Sequence, residues 1–376
     1  MSADLLIGAY PPLEPSTLLG RARREAFPWS EPGLALTHLG RGAVWLALEA
    51  LGLGPGRRIA MPAYHCGSEV EAVRLAGAEP VWYRVDGELG VDLDDLDRAA
   101  REAGAAYLIS HFGFPMPPPP QGVPVIEDAA HGLFSLDPEG QPLGARGQAA
   151  VFCPRKSLGV PDGGAVLVAG GAAAARDRRP GGRALVRSAL SLAAGRAAIS
   201  RLGALRRGAA ALIGRTSRGD AAAREGLLTE TVIGEWDLEV ADMEAAAGRP
   251  ARLTELSVRR ADPERMRARR RRNYELLAGE LAELAPAPYR RLPPGTAPLY
   301  FPALAADREA AIAGLLEQGV RPLEVWPVPH PLLPRRRYAE LEQARRGLLA
   351  LPVHQALGDW HMERVLSAAR RVLLGR

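Results

Sequence analysis

Lysine is almost missing from this chain. Lysines and arginines together number 48, and one of them is a lysine, Lys156. Arginine stays protonated under ordinary conditions, whereas an amine can shed its proton and attack a carbonyl. A chain that writes arginine for its surface charge and still keeps one lysine directs attention to that lysine. Cysteine is also scarce. Cys66 and Cys153 are the only two, which excludes a framework of disulfides and points to a reducing compartment, so a cytoplasmic location is expected. No run of 18 or more uncharged apolar residues occurs, so no helix is expected to span a bilayer. The first thirty residues lack the basic start and apolar stretch of a signal peptide. What remains is 376 residues with 47% hydrophobic and 24% charged types and a net charge of +5, the proportions of an ordinary globular protein. The length suits a large domain plus a smaller one.

From about residue 34 to 169, short apolar runs alternate with helical stretches. Leu34 to Leu36, Arg58 to Met61, Pro80 to Val85, Ala106 to His111, Val123 to Ile126, Ala149 to Phe152 and Ala165 to Val168 read as strands. Helices are expected over Ala43 to Leu51 and Ser68 to Ala76. Such alternation predicts an α/β fold, a mainly parallel sheet with helices on both faces. Ligands of these sheets sit beyond the carboxyl ends of the strands. His111, Asp128 and Lys156 each fall just after one. Pro115 to Pro120 reads as a rigid loop.

The composition then changes. Between Arg178 and Gly219 there are ten arginines and no acid. Leu185, Leu192 and Ile199 recur every seven residues, with Arg196 near the same stripe. This reads as one or two helices with a basic face, a solvated or subunit-facing insertion in preference to a membrane-surface helix. Nucleic acid is not expected, because the aromatic interleaving of single-strand binders is missing here. Farther on, Met266 to Leu284 is a strong helix whose run Arg269 to Arg272 reads as a solvated face. Leu299 to Leu304, the helix Arg308 to Gln318 and Arg321 to Val325 suggest a small β-α-β layer, closed by Leu348 to Val353 and a helix over Asp359 to Leu373. The expected division is an N-terminal segment (1–30), a large domain (31–255, with the insertion at about 170–228) and a small C-terminal α+β domain (256–376).

Lys156 follows a strand and precedes the turn Asp162-Gly163-Gly164. Asp128 ends another strand within Glu127-Asp128-Ala129-Ala130-His131. A lysine able to form a Schiff base, with an acid able to keep a pyridine nitrogen protonated, is the protein's part in pyridoxal 5'-phosphate chemistry. Gly40-Arg41-Gly42 stands at the N-terminus of a helix, where free amides and the helix dipole favour a phosphate, and Arg41 can add a charged contact. No G-x-G-x-x-G followed by an acid appears there, which argues against a dinucleotide enzyme. No metal site is expected.

Over about Gly33 to Val168 the chain resembles the DegT/StrS-type sugar-nucleotide aminotransferases. The matching pieces are Ala47 to Gly56, Met61-Pro62-Ala63-Tyr64, Ala76 to Val81, His111-Phe112-Gly113, Val125 to His131 and Lys156 ahead of Asp162-Gly163-Gly164, with Leu351-Pro352-Val353-His354 near the end. The resemblance implies a fold type I architecture and an aminotransferase that uses pyridoxal 5'-phosphate. Its amino donor would be an amino acid, glutamate by analogy, and its acceptor a nucleotide-linked keto sugar. It implies that Lys156 forms the Schiff base, Asp128 holds the ring nitrogen, His131 lies beside the ring, and Gly40, Arg41 and Gly42 bind the phosphate.

Several positions depart from the family. Cys66 stands where relatives place an aromatic that stacks on the ring, leaving His65 or Cys66 for that role. Val151 replaces a common serine. The family's cross-subunit asparagine has no counterpart, since the chain's one asparagine, Asn273, lies in the later helix. Trp326-Pro327 and His330 resemble the substrate-pocket segment. A homodimer is implied. Two alternatives stay open: an enzyme of the same fold acting on a non-sugar or lipid-linked carbonyl, and a non-catalytic regulatory relative.

Overall fold

The computed structural model describes residues 5–23, 25–206, 208 and 242–376. A short strand β1 (Ile7–Gly8) and a helical turn α1 (Pro15–Leu19) lead into the large lobe. Its strands are β2 (Leu34–Thr37), β3 (Arg58–Pro62), β4 (Glu79–Tyr83), β5 (Ala106–Ile109), β6 (Val125–Asp128), β7 (Ala149–Phe152) and β8 (Gly164–Val168). They form one sheet in the order β2-β8-β7-β6-β5-β3-β4. The pairs from β7 to β4 are parallel, and β8 is antiparallel to both its neighbours. The expected mainly parallel sheet is present. Its strands are short apolar runs without alternation because helices cover both faces, so residues such as Tyr107, Leu108, Ala150 and Val166 are buried whichever way they point.

The helices around the sheet include α2 (Gly40–Ala50), α3 (Ser68–Leu75), α4 (Leu93–Ala103) and α5 (Pro154–Leu158). The sequence reading had no helix at α4. It begins where Asp92 caps the Asp95 amide at 3.0 Å and ends at Gly104 in the left-handed region. The arginine-rich insertion contributes α6 (Gly182–Ala198). Within it, the side chain of Leu185 and the whole of 209–241 lie outside the described residues. Ile199 is buried, Leu192 half-buried, and Val186, Leu190, Leu202 and Leu205 are exposed. Two short helices, α7 (Met243–Ala246) and α8 (Arg252–Val258), follow.

The small lobe begins with α9 (Pro263–Leu281), capped by Asp262. It continues through β9 (Tyr300–Leu304), α10 (Arg308–Glu317), β10 (Val320–Arg321), β11 (Leu323–Glu324), α11 (Leu341–Gly347), β12 (Leu348–Pro352) and α12 (Asp359–Leu373). The expected strand Arg321 to Val325 is split at Pro322, which has no amide to donate. Its first half pairs in parallel with β1, and its second half joins an antiparallel sheet of order β11-β12-β9. The arginine run on α9 also differs from the solvated face expected of it. Arg272 is exposed and pairs with Asp359, and Arg271 pairs with Glu275 one turn on. Arg270 is fully buried.

Candidate active site

Three neighbouring strands end at one place. β6 delivers Asp128 at its last position, β5 leads through Ser110 to His111, and β7 leads through Cys153 into α5, which carries Lys156. Pro154 starts α5 and Gly159, in the left-handed region, stops it. Half-buried Lys156 directs Nζ to within 3.1 Å of His131 Nε2. On the other side of that ring, Nδ1 accepts the Phe112 amide at 3.3 Å. With Nδ1 acting as acceptor, a neutral His131 carries its proton on Nε2 and faces Nζ as a donor. That arrangement suits an uncharged amine.

Asp128 is buried. Its Oδ2 accepts from the Tyr107 hydroxyl at 2.7 Å, and its Oδ1 accepts from the Ala130 amide at 2.8 Å. Burial pushes its pKa up, against the pull of these two donors and of the Lys156 charge. A second buried carboxylate, Glu69 in the first turn of α3, belongs to the same electrostatic neighbourhood, although the sequence reading passed over it. Burial and the charge of Asp128 raise its pKa, and Lys156 opposes them. Glu69 accepts the Cys66 amide at 3.0 Å, and the Cys66 thiol lies 3.1 Å from Ser68 Oγ. An acid in a first helical turn reads from sequence as a favourable terminal charge. The signal to be found was its place at the start of the helix that follows β3.

The two residues offered for stacking are placed differently. His65 is fully buried, donates Nδ1–H to the Pro62 carbonyl at 3.0 Å and accepts the His330 amide on Nε2 at 3.3 Å. Its ring already stacks on Trp82, with centroids 5.1 Å apart and planes 21° from parallel. Cys66 is half-buried. His330 is likewise fully buried, with Nε2 3.1 Å from Glu71 Oε2 and Nδ1 accepting the Leu332 amide at 3.2 Å. Trp326 sits nearer the lysine, its ring 5.5 Å from His131 and 5.2 Å from Tyr64. Its backbone adopts φ +46°, and its buried Nε1 has no hydrogen-bond partner among the described residues. His111 donates to the Tyr64 carbonyl at 3.3 Å, and burial pushes its pKa down to about 4, as for a structural histidine.

At the start of α2, a Cβ built on Gly40 would make ordinary contact with Cys153, 3.5 Å from its Sγ. Arg41 is half-buried with no side-chain hydrogen bond or ion pair among the described residues. Gly42 answers to packing: a Cβ there would stand 2.2 Å from the Ala246 carbonyl, where α7 crosses α2. Val151 lies in β7 opposite Asp128. Asn273 is buried and spends its amide on the carbonyls of Val353, His354 and Leu357 at 3.1 to 3.3 Å. Asp162 is a packing hub, 2.9 Å from both His38 Nδ1 and the Ala251 amide.

A lysine, a histidine and a buried carboxylate thus stand at the strand ends of a mainly parallel α/β sheet, beside the start of α2. Residues 35–179 match the model of the DegT/DnrJ/EryC1/StrS aminotransferase family, so the resemblance read from the sequence is shown over that stretch. A UDP-N-acetyl-3-dehydro-α-D-glucosamine 3-aminotransferase from Acidithiobacillus ferrooxidans is 32% identical over 142 residues, 35% of this chain and 38% of that one. The chain thus matches about two fifths of that relative's length. Among solved structures, S. venezuelae DesV in complex with a ketimine intermediate is 22% identical, with a TM-score of 0.58 over 90% of this chain and 84% of that one. NtdA from Bacillus subtilis, with bound cofactor PMP, is 18% identical with a TM-score of 0.55 over 91% and 73%. At these identities the structures share the fold.

Proposed function

We propose that the protein is a pyridoxal-phosphate-dependent aminotransferase that moves an amino group from an amino acid, glutamate by analogy, to a nucleotide-linked keto sugar. The observation that carries the proposal is the placing of the chain's one lysine against His131 at the strand end next to Asp128. The residues present fit the cofactor. The half-buried Arg41, unpaired among the described residues, and the first amides of α2 would hold its phosphate. Asp128, two of whose lone pairs are already taken by Tyr107 and Ala130, would face its ring nitrogen. Bound there, pyridoxal phosphate supplies an electrophilic carbon and an electron sink.

The chain's own contribution is to place and move protons. Lys156 would hold the cofactor through its amine and, when that amine is free, would carry a proton to and from the reacting carbon as a general acid–base. His131 holds that nitrogen in position and donates to it while it is uncharged. Asp128, kept from water, would set its negative charge against a cationic ring nitrogen. Trp326 forms the wall beside His131 and offers an unused donor. We infer a homodimer as well, for which the exposed Val186, Leu190, Leu202 and Leu205 supply apolar surface.

The relative from A. ferrooxidans, whose name gives a UDP-linked 3-keto amino sugar as substrate, supports the choice of acceptor. The test incubates purified protein with glutamate and a panel of nucleotide keto sugars and reads product masses. Gain of an amino group by at least one sugar is expected. Conversion of non-sugar carbonyls alone would overturn the sugar reading, and conversion of nothing by protein that binds the cofactor would overturn the enzymatic one.

A further inference from the structure

Lys156 rides on a helix of five residues, Pro154–Leu158, too short to hold its own shape. Its position is set from outside. Behind it, segments distant in sequence converge on one carbonyl, that of Ser157. Arg270 of α9 donates Nη2 to that carbonyl at 2.9 Å, and Nε and Nη2 to Gln355 Oε1 at 2.9 and 2.8 Å. Gln355, in the loop after β12, donates its own amide to the same carbonyl at 3.1 Å and to Glu14 Oε2 at 3.3 Å. Just before Glu14, Pro11 and Pro12 close over the glycine that stops α5. A Cβ on Gly159 would stand 2.3 Å from the Pro12 carbonyl.

Arg270 is fully enclosed, and burial pushes its pKa down to about 10. Enclosing a guanidinium is costly, and apolar side chains of similar volume in such places are often as stable or more so. Stability is therefore a poor account of why the cation is there. A guanidinium offers direction: a planar fork of donors that fixes two acceptors at once. Two of its acceptors here, the Ser157 carbonyl and Gln355 Oε1, belong to the clamp on α5, and Nη1 reaches a third, the Pro298 carbonyl, at 3.5 Å.

We propose that Arg270, acting with Gln355 and Glu14, is a positioning residue for Lys156, holding the α5 turn so that Nζ stays against His131. The clamp makes the small lobe and the N-terminal segment part of the lysine's seat. Its value to catalysis rests on the reading of Lys156 as the reactive amine. Its geometry does not.

The test exploits the single lysine. Full-length, cofactor-free protein grown with ε-carbon-labelled lysine gives one lysine side-chain NMR signal, and a melting curve is recorded beside it. Arg270→Met and Gln355→Leu are compared with the wild type. In Arg270→Met the Lys156 signal is expected to move or split, and borohydride capture of pyridoxal phosphate on Lys156 to slow at least tenfold. Gln355→Leu should do the same to a smaller degree. A folded Arg270→Met protein with the Lys156 signal unmoved would overturn the proposal, whatever its melting temperature. If Arg270→Met does not fold, the signal in Gln355→Leu decides in the same terms. Wild-type protein that captures no pyridoxal phosphate, with the signal moved in the variants, would leave the clamp standing and remove the cofactor reading instead.

Discussion

Asp128→Asn should have opposite consequences with and without the cofactor. In the cofactor-free protein the carboxylate is enclosed. Two donors, Tyr107 at 2.7 Å and Ala130 at 2.8 Å, repay part of the loss of water. Hydrogen bonds to a charged group contribute about 1.5–3 kcal/mol each, while enclosing the charge costs several kcal/mol. The raised pKa of Asp128 says that enclosure wins. A group whose folded pKa lies above its unfolded value contributes stability that is full below the unfolded value, about 4 for Asp, and is lost as pH rises through the folded one. Cofactor-free wild type should therefore lose stability as pH climbs from about 4 through that range. The Asn variant, which keeps the shape and has no charge to form, should lose less. With the cofactor bound the sign reverses. A cationic ring nitrogen gives the carboxylate its missing partner, and taking one member from a buried pair costs about 3–5 kcal/mol, or roughly 10²- to 10⁴-fold in rate or affinity. Melting temperature against pH for both cofactor-free proteins, with single-turnover rates for both loaded ones, makes the comparison. The reasoning is refuted if the variant's stability falls more steeply with pH than the wild type's, or if its loaded rate stays within threefold.

Other outcomes follow from single contacts. Borohydride reduction of the yellow holoprotein should tag one peptide, the one containing Lys156, and Lys156→Arg should lose transamination entirely, because a guanidinium does not condense with the aldehyde; activity retained in that variant would end the assignment. Arg41→Ala should weaken cofactor binding about 10- to 100-fold through loss of a charge-assisted contact of roughly 1.5–3 kcal/mol, read by equilibrium titration, with no change in melting of the cofactor-free protein. Gly42→Ala should destabilise the cofactor-free protein by about 1–3 kcal/mol, since its methyl would meet the Ala246 carbonyl at 2.2 Å and α7 must shift; unfolding in denaturant shows it. The intact protein should ignore anionic vesicles at physiological salt, and salt-sensitive binding lost on deleting residues 178–219, with activity kept, would instead support a lipid-linked acceptor.

What could be read from the sequence was whatever depends on residue type at a strand end. The strand-end positions of Lys156, Asp128 and His111 were findable because the ends of parallel strands meet at one edge however the rest is arranged. His131 came with them only through the family resemblance, which set it beside the ring. The side walls were not legible, since they are made where distant segments touch. Nothing near His65 announces that Trp82 will take its ring, or near His330 that Glu71 will take its imidazole. Even so, one misreading was avoidable. The inward stripe of α9 runs Met266, Arg270, Asn273, Tyr274, Leu277 and Leu281, spaced by three and four residues. Four consecutive arginines on a helix spread over most of its circumference, about 100° apart, so they cannot all face water once the neighbouring residues form an apolar stripe. Arg270 is the one that period turns inward. A run of like charge should be taken residue by residue against the stripe beside it, and the member that falls on the apolar side then needs a buried acceptor. Here that acceptor is the carbonyl next to the only lysine in the chain.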